Sequence, residues 1–131
     1  MSTLKTNKIQ HLTSGFNNVV QFVDGAGTQN GTLCRAFVNF NGTSTVAIRA
    51  QFNVSSITDN GTGDYTVNFS NAMSDANFAA PATTSDGSGV RYSFISIAGA
   101  GGQSSSAIRY VCYGDDAAIR DQNPVMVAVF R

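Results

Sequence analysis

Apolar and polar residues alternate along several short stretches of the chain, which is the pattern of strands with one buried face. In residues 65–69 (YTVNF) the side chains of Tyr65, Val67 and Phe69 fall on one face, with polar side chains between them. Residues 60–63 (NGTG) come just before and contain Asn and Gly, which tolerate the positive φ of tight turns. The pattern therefore predicts a turn that leads directly into a strand of the core.

A second turn of this kind predicts a β-hairpin in the first half of the chain. Residues 41–43 (NGT) separate two alternating stretches, 33–40 (LCRAFVNF) and 45–52 (TVAIRAQF). An Asn-Gly turn between two such stretches is a strong hairpin signal. The residues expected to share a face are Cys34, Ala36, Val38 and Phe40 in the first strand and Val46, Ile48, Ala50 and Phe52 in the second.

The rest of the chain adds further strands and loops. Strands are expected at residues 18–23, 90–98, 106–113 and 124–130, and a short helical turn at residues 71–79. A loop rich in Gly, Ser, Thr and Asp is expected at residues 80–89, and a loop of Gly and Ala at residues 98–102. About eight strands separated by turns indicate an all-β fold, an antiparallel β-sandwich or jelly-roll-like knob.

Composition supports this fold class and narrows the range of partners. The chain of 131 residues has no Glu, no Trp and only three Leu, whereas β-branched residues and Phe are common, and this balance favours strands over helices. Only 12% of the residues are charged, against about 25% in ordinary domains, and the net charge is zero. Since the chain has neither a basic stripe nor an apolar run of membrane-spanning length, we expect no nucleic-acid partner and no membrane insertion.

The N-terminal segment differs from the remainder of the chain. Residues 1–15 carry both lysines and the only histidine, and they lack the apolar stretch of a secretory signal. We predict that they form a short N-terminal attachment arm that becomes ordered against a partner, and that residues 16–131 form the β-sandwich domain. The side chains expected to make the attachment are Leu4, Lys5, Lys8, Ile9, His11 and Leu12.

Two strands are apolar on both faces, which is unexpected for a strand with one solvated face. Phe37 lies opposite the core set of its strand, and Ile95 and Ile97 lie opposite Phe94. These three residues, Phe37, Ile95 and Ile97, are candidates for a subunit interface, and with the low charge they indicate a cyclic homo-oligomer. The phenylalanines expected in the core are Phe22, Phe37, Phe40, Phe52, Phe69, Phe94 and Phe130.

The tyrosines suit a partly wet surface, because the hydroxyl keeps one end of the side chain hydrated. Tyr92, Tyr110 and Tyr113 are therefore candidates for either a core or interface position or a sugar-stacking surface. Asp115 and Asp116 follow the strand end at Tyr113, where two adjacent carboxylates favour a solvated loop or a weak polar-ligand site.

The sequence contains no convincing catalytic or metal-binding constellation. Residues 113–116 (YGDD) match a metal-binding tetrapeptide of polymerases, but no further carboxylate and no basic channel accompany them. Residues 99–102 (GAGG) lack the following helix and the Lys-Ser/Thr of a phosphate loop. One histidine and two cysteines, which we expect to be free thiols, supply neither a nucleophilic triad nor a zinc site. We expect no enzyme activity, no metal and no cofactor, and we interpret the five Asn-x-Ser/Thr triplets as turn and strand residues.

Three stretches carry a resemblance to a known class of proteins. They are "FVNFNGT", "VAIRAQFNVSSITDNGTGDYTVNF" and "DANF", within residues 30–78, and they resemble a module of virion structural and tail-fibre-like proteins of tailed phages, particularly phages of cyanobacteria and other aquatic bacteria. The N-terminal "STLKTNKIQ" also resembles the start of phage fibre chains. Residues 80–131 match only loosely.

The resemblance implies a virion structural protein that is assembled in the host cytoplasm. It would be a short homotrimeric tail fibre or knob, anchored through its N-terminus to other virion proteins of the tail, neck or baseplate and contributing to host adsorption. Under this hypothesis Tyr92, Tyr113, Asp115 and Asp116 are candidates for contact with a host-surface glycan. One alternative is a capsid decoration or neck/baseplate adaptor protein without receptor binding. A weaker alternative is a virion-associated glycan hydrolase, which needs paired carboxylates across a cleft.

Overall fold

Every regular element that the structure describes is a β-strand. The computed structural model describes residues 19–24, 27–87 and 93–131, with side chains for residues 31, 33–87 and 93–131, and these ranges contain no helix. The strands are β1 (Val19–Asp24), β2 (Gly27–Thr32), β3 (Cys34–Asn41), β4 (Ala47–Phe52), β5 (Val54–Gly61), β6 (Asp64–Phe69), β7 (Ala82–Thr84), β8 (Phe94–Ile97), β9 (Ala107–Tyr113) and β10 (Val125–Phe130). The predicted attachment arm, residues 1–15, lies outside the described residues, as do Tyr92 and the side chain of Phe22.

The chain divides into two units after Leu33. In the first unit, β1 and β2 pair as an antiparallel hairpin. In the second unit, Cys34–Arg131, which we call the sandwich unit, the remaining strands form two antiparallel four-stranded sheets. The first sheet has the order β4-β3-β10-β7 and the second sheet has the order β5-β6-β9-β8. The all-β sandwich is thereby confirmed, whereas the strand order gives no specific support to the jelly-roll description.

A single apolar core lies between the two sheets of the sandwich unit. The Phe40 ring of the first sheet meets the Tyr65 ring of the second sheet edge to face, with the ring centroids 5.3 Å apart. The predicted inward-facing sets of two strands are confirmed except at Cys34, which is half-buried: Ala36, Val38 and Phe40 on β3 and Tyr65, Val67 and Phe69 on β6 are all buried. The alternation in the sequence therefore predicts correctly which face of β3 and of β6 is buried.

The strand β4 departs from the predicted pattern because its pairing with β3 contains a bulge. The register pairs Phe37 with Phe52 and Phe40 with Ile48, with a shift between Asn39 and Phe40. A bulge adds one residue to one strand, so side chains on either side of it fall on different faces. Every residue of β4 is exposed. The expectation that Val46, Ile48, Ala50 and Phe52 share one buried face is therefore wrong.

The structure also contains three strands that the sequence pattern did not predict: β2, β5 and β7, of which β7 lies inside the predicted loop 80–89. Residues 54–61 form β5, which pairs with β6, although Ser, Thr, Asp and Asn dominate this stretch. The predicted turn after it is confirmed, and Gly61 and Gly63 both have positive φ, at 127° and 64°. Residues 71–79 do not form the expected helical turn; they are an irregular segment that ends in a single bridge between Ala79 and Phe130.

The loops of the sandwich unit lie at two opposite ends. At one end, which we call the base end, β3 begins at Cys34. The segments around residues 53, 70–81 and 98–106 meet there. For example, the side-chain amide of Asn53 donates to the Arg35 carbonyl oxygen at 3.0 Å. At the other end, which we call the far end, the segments 42–46, 62–63, 85–87 and 114–124 meet. The predicted loops 80–89 and 98–102 are therefore separated, since residues 85–87 lie at the far end and residues 98–102 at the base end.

Candidate functional site

A partly buried hydrogen-bond network joins three segments at the far end, with the Tyr65 hydroxyl in the interior and Asp121 at the surface. The Tyr65 hydroxyl lies 2.7 Å from the Gly42 carbonyl oxygen and 2.8 Å from Oδ1 of Asp121, and its single proton can be donated to only one of these acceptors at a time. The same Asp121 oxygen accepts a hydrogen bond of 2.7 Å from the Gly63 amide. The Gly42 amide in turn donates to the Gln122 carbonyl oxygen at 2.9 Å. The network holds both predicted turns against the segment that follows β9, so the far end is a preorganised loop cluster.

An exposed apolar cluster lies beside this network on the outer side of the second sheet. Phe94 is opposite Tyr113 in the β8–β9 register, and Tyr113 forms a bridge with Ile119. Phe94 and Ile119 are 58% and 50% exposed. Phe94 is therefore not a core residue, as the sequence pattern predicted, because β8 is an edge strand and this side chain points away from the core. The structure instead brings Phe94 together with Tyr113, one of the predicted ligand-contacting residues.

The two predicted acidic residues lie next to this cluster at the far end. Both Asp115 and Asp116 are exposed. The Asp116 carboxylate accepts a hydrogen bond from the Ala118 amide and forms an ion pair with Arg120. These two contacts, the Ala118 hydrogen bond first and the Arg120 guanidinium second, lower the pKa of Asp116. The loop therefore presents one carboxylate that is already held in place, next to exposed Asp115.

The outer face of the first sheet is a second candidate surface, which we call the apolar face. Phe37, Phe52 and Met126 are 42%, 55% and 37% exposed, and the Phe37 and Phe52 rings stack with centroids 6.4 Å apart. A shallow groove of about 500 Å³ crosses this face, and none of the residues that line it is charged. Phe37 was predicted both in the core and at an interface, and Phe52 was predicted in the core; the exposure of both rings contradicts the core prediction, and for Phe52 the reason is the bulge in β4. Met126 was missed, although β10 was recognised as apolar on both faces.

A polar atom lies buried in the middle of the apolar face. Asn39 is opposite Ala50 on one side and Met126 on the other. Its Oδ1 atom is buried and has no hydrogen-bond partner within the described part of the chain. Leaving such an acceptor unpaired costs about 1–3 kcal/mol. The sequence pattern led to no prediction for Asn39, although it lies on the same side of β3 as Phe37, opposite the buried residues Ala36, Val38 and Phe40.

Away from the cluster of Phe94, Tyr113 and Ile119, the outer face of the second sheet is polar. The Asn68 amide donates to the Ser56 and Thr58 hydroxyl oxygens at 3.1 and 2.9 Å, and Arg109 pairs with Asp64, its Nε donating at 2.8 Å. The Arg109 hydrogen bond is the main reason that the pKa of Asp64 is lowered. This polar face satisfies its own hydrogen bonds across strands. The apolar face differs, because its exposed side chains Phe37, Phe52 and Met126 form no hydrogen bonds with one another or with water.

The remaining predicted interface and surface residues lie closer to the core. Ile95 and Ile97 are opposite Cys112 and Tyr110 on the inner side of the edge strand β8; Ile95 packs against the core, and Ile97 is 41% exposed near the base end. Tyr110 is buried, and its hydroxyl donates to the Ala80 carbonyl oxygen at 2.7 Å. Tyr110 is therefore a core residue and drops out as a candidate for a sugar-stacking surface.

Three buried groups predict how stability responds to alkali. Burial raises the pKa of the Tyr65 and Tyr110 hydroxyls and raises the pKa of the Cys112 thiol to about 11. The unfolded chain therefore loses these protons first, so the stability that they contribute is complete below about pH 8 and is lost as the pH rises through the raised values. We expect the urea midpoint to fall between pH 8 and pH 11. In the Cys112→Ala variant the fall should begin at a higher pH, and a midpoint that is constant over this range in the natural protein would contradict the burial.

The described residues contain few other features that would indicate a functional site. Both cysteines are free thiols, as predicted. No cluster of three or more His, Cys, Asp or Glu suited to a metal ion occurs in the described ranges. Those ranges also contain no helix of the length and apolar character needed to cross a bilayer. Comparisons with protein families, with curated proteins and with solved structures find no match to this chain.

Proposed function

We propose that this chain is a structural protein of a tailed-phage virion, a short homotrimeric tail fibre or knob that contributes to host adsorption and is not an enzyme. The observation that carries the proposal is the separation of the two ends of the sandwich unit. Cys34, where the preceding residues join the unit, lies at the base end, and the preorganised loops with Phe94, Tyr113 and Asp116 lie at the far end. Such an arrangement suits a module that is held at one end and makes contacts at the other.

The chemistry of the far end supports a glycan as the ligand class. Exposed aromatic rings stack against the apolar faces of sugars, and carboxylates accept hydrogen bonds from sugar hydroxyls. Phe94 and Tyr113 supply the rings, and Asp115 and Asp116 supply carboxylates nearby. The resemblance of residues 30–78 to fibre-like modules supports the same class of function. Residues 1–15 are then the attachment arm, and the other virion proteins are the partners.

Location on the particle tests the proposal most directly. Cryo-electron microscopy of the virion should show three copies of the sandwich unit around an axis, with the base end toward the tail, neck or baseplate. Purified particles that lack this chain would refute the proposal. Copies spread over the capsid with the far end buried would favour the decoration protein instead, and adaptor copies buried between neck or baseplate proteins would favour the adaptor.

Binding of the labelled, purified protein to host cells tests the adsorption role. Phe94→Ser and Tyr113→Ser should each lower bound protein at least about tenfold, because buried aromatic anchors commonly contribute more than 1.4 kcal/mol to recognition. The matched control is Ile97→Ser, which changes an exposed apolar residue at the other end of the same edge strand. Equal binding by all three variants and the natural protein would remove the far end as the receptor-contacting surface.

A further inference from the structure

Three Asn-Gly pairs occur in the chain, at residues 30–31, 41–42 and 60–61. An asparagine loses its side-chain amide when the backbone nitrogen of the next residue attacks the side-chain carbonyl carbon. Glycine favours this attack, because it has no Cβ to hinder the approach. The side chain of Asn30 lies outside the described residues, whereas both residues of the other two pairs are described.

The Asn41-Gly42 pair is held in place at every group that this reaction uses. Nδ2 of Asn41 donates to the Thr43 carbonyl oxygen at 2.7 Å, and Oδ1 of Asn41 accepts from the Thr43 hydroxyl at 2.8 Å. Gly42 is buried, and its amide donates to the Gln122 carbonyl oxygen at 2.9 Å. A peptide carbonyl oxygen is too weak a base to take the amide proton, so this pair is protected by its packing and by its hydrogen bonds.

The Asn60-Gly61 pair is exposed, and its backbone amide faces a carboxylate. Asn60 is the extra residue where the β5–β6 register shifts between Asp59 and Gly61, and such a residue is left out of the ladder. The Gly61 amide donates to Oδ1 of Asp59 at 2.9 Å. This distance lies within the range of about 2.6–3.2 Å over which a side chain can act as a general base on a proton. The Gly61 nitrogen therefore has a base in contact with it, which the Gly42 nitrogen lacks.

The Asn60 side chain is free to turn toward that nitrogen. Its Nδ2 donates to Oδ1 of Asp64 at 3.2 Å and to Oγ1 of Thr66 at 2.9 Å, and both hydrogen bonds are exposed to solvent. Water can replace both contacts without any opening of the core. Among the described residues no atom lies within 4 Å of the position that a Cβ would take on Gly61, so there is room for a ring to close.

We propose that Asn60 is a site of spontaneous deamidation in the folded protein, with the Asp59 carboxylate as the base that takes the Gly61 amide proton. The Gly61 nitrogen bonds to Cγ of Asn60, the bond from Cγ to Nδ2 breaks, and the amide group leaves as ammonia with the proton that Asp59 took. The product is a succinimide ring, which water opens at either carbonyl to give an aspartate or an isoaspartate at position 60. The assignment does not depend on the virion role, so either can fail without the other.

The conversion changes the charge at the tip of the β5–β6 hairpin. The new carboxylate comes between those of Asp59 and Asp64, and the hydrogen bonds that Nδ2 of Asn60 donates are lost. This tip leads directly to Gly63, whose amide belongs to the network at the far end. Converted molecules therefore carry one more negative charge next to the far end, and ion-exchange chromatography can separate them.

Peptide mapping by mass spectrometry tests the site in the full chain. During incubation of the folded protein at neutral pH, Asn60 should be converted at least about tenfold faster than Asn41, since an opening that costs about 1.4 kcal/mol already slows a reaction tenfold. In the same protein unfolded in guanidinium chloride, the two rates should approach each other, because both pairs are then open to water. Conversion of Asn41 as fast as that of Asn60 in the folded protein overturns the proposal.

A matched pair of substitutions tests the base. Asp59→Ser removes the carboxylate that accepts from the Gly61 amide, and Asp64→Ser removes the one that accepts from Nδ2 of Asn60. Asp59→Ser should slow the conversion of Asn60 about a hundredfold, the lower end of what a general base contributes, whereas Asp64→Ser should not slow it. Circular dichroism checks that both variants are folded. An unchanged rate in Asp59→Ser, or equal slowing in the two variants, overturns the role of Asp59.

Discussion

Replacement of Gly63 with Ala is expected to lower the free energy of unfolding by about 2–4 kcal/mol. Gly63 has a φ of 64°, in the left-handed region that strains residues with a Cβ. A Cβ here would also lie 2.6 Å from the Arg120 carbonyl oxygen, a backbone atom that is held by its neighbours. Both effects add because neither can relax without breaking the hydrogen bond from Gly63 to Asp121. Urea unfolding followed by circular dichroism gives the difference.

The control for this substitution is Gly101→Ala. Gly101 also has a positive φ, at 90°, but no atom lies within 4 Å of the position that a Cβ would take. This variant should lose only the backbone component, about 1–2 kcal/mol. Equal losses in the two variants would mean that the turn is not packed against residues 119–120, and the far end would then lack the preorganisation that we describe.

Truncation of Phe40 to Ala should destabilise the sandwich unit by about 3–5 kcal/mol. Phe40 is 1% exposed and contacts the Tyr65 ring across the two sheets, so its removal leaves a cavity at the place where they meet. Since domains of this size are stable by only about 5–15 kcal/mol, the variant should unfold at a markedly lower temperature. Calorimetry measures the shift.

Phe94→Ala is the matched comparison for the core substitution. The same chemical change is made at a side chain that is 58% exposed, and the expected loss is below about 1 kcal/mol. Similar losses at both positions would contradict the assignment of Phe40 to the core and of Phe94 to the surface. The pair therefore tests a point on which the sequence pattern and the structure differ.

Alternation of apolar and polar residues predicts the buried face of a strand correctly where that strand has no extra residue along its length. Tyr65, Val67 and Phe69 are an uninterrupted alternating set, and β6 pairs in regular register with β9. The strand β5 was missed because a register shift between Val54 and Ser56 removes the simple alternation from a stretch that is otherwise polar. A bulge depends on how a strand pairs with its neighbour, so the sequence of one strand gives little indication of it.

The candidate surfaces depended on information that the sequence pattern does not contain. Loops were predicted at residues 80–89 and 98–102 with no indication of where they lie, but residues 85–87 and 98–102 are at opposite ends because of the order of strands in the two sheets. Phe52 and Phe94 resemble core residues in sequence. Phe94 is exposed because it lies on the edge strand β8, and Phe52 is exposed because it follows the bulge in β4. Asn39 attracted no prediction, because its neighbours Met126 and Ala50 come from β10 and β4, and the sequence of β3 alone does not show them.

The base end has a consequence for protein engineering. Cys34 and Phe130 are Cα partners on adjacent strands, so the two points at which a polypeptide would be joined to the sandwich unit lie side by side. Adjacent ends are the condition under which one domain can be inserted into a loop of another. The sandwich unit is therefore suited to grafting as a display cassette, with the host scaffold on one side and exchangeable recognition loops on the other.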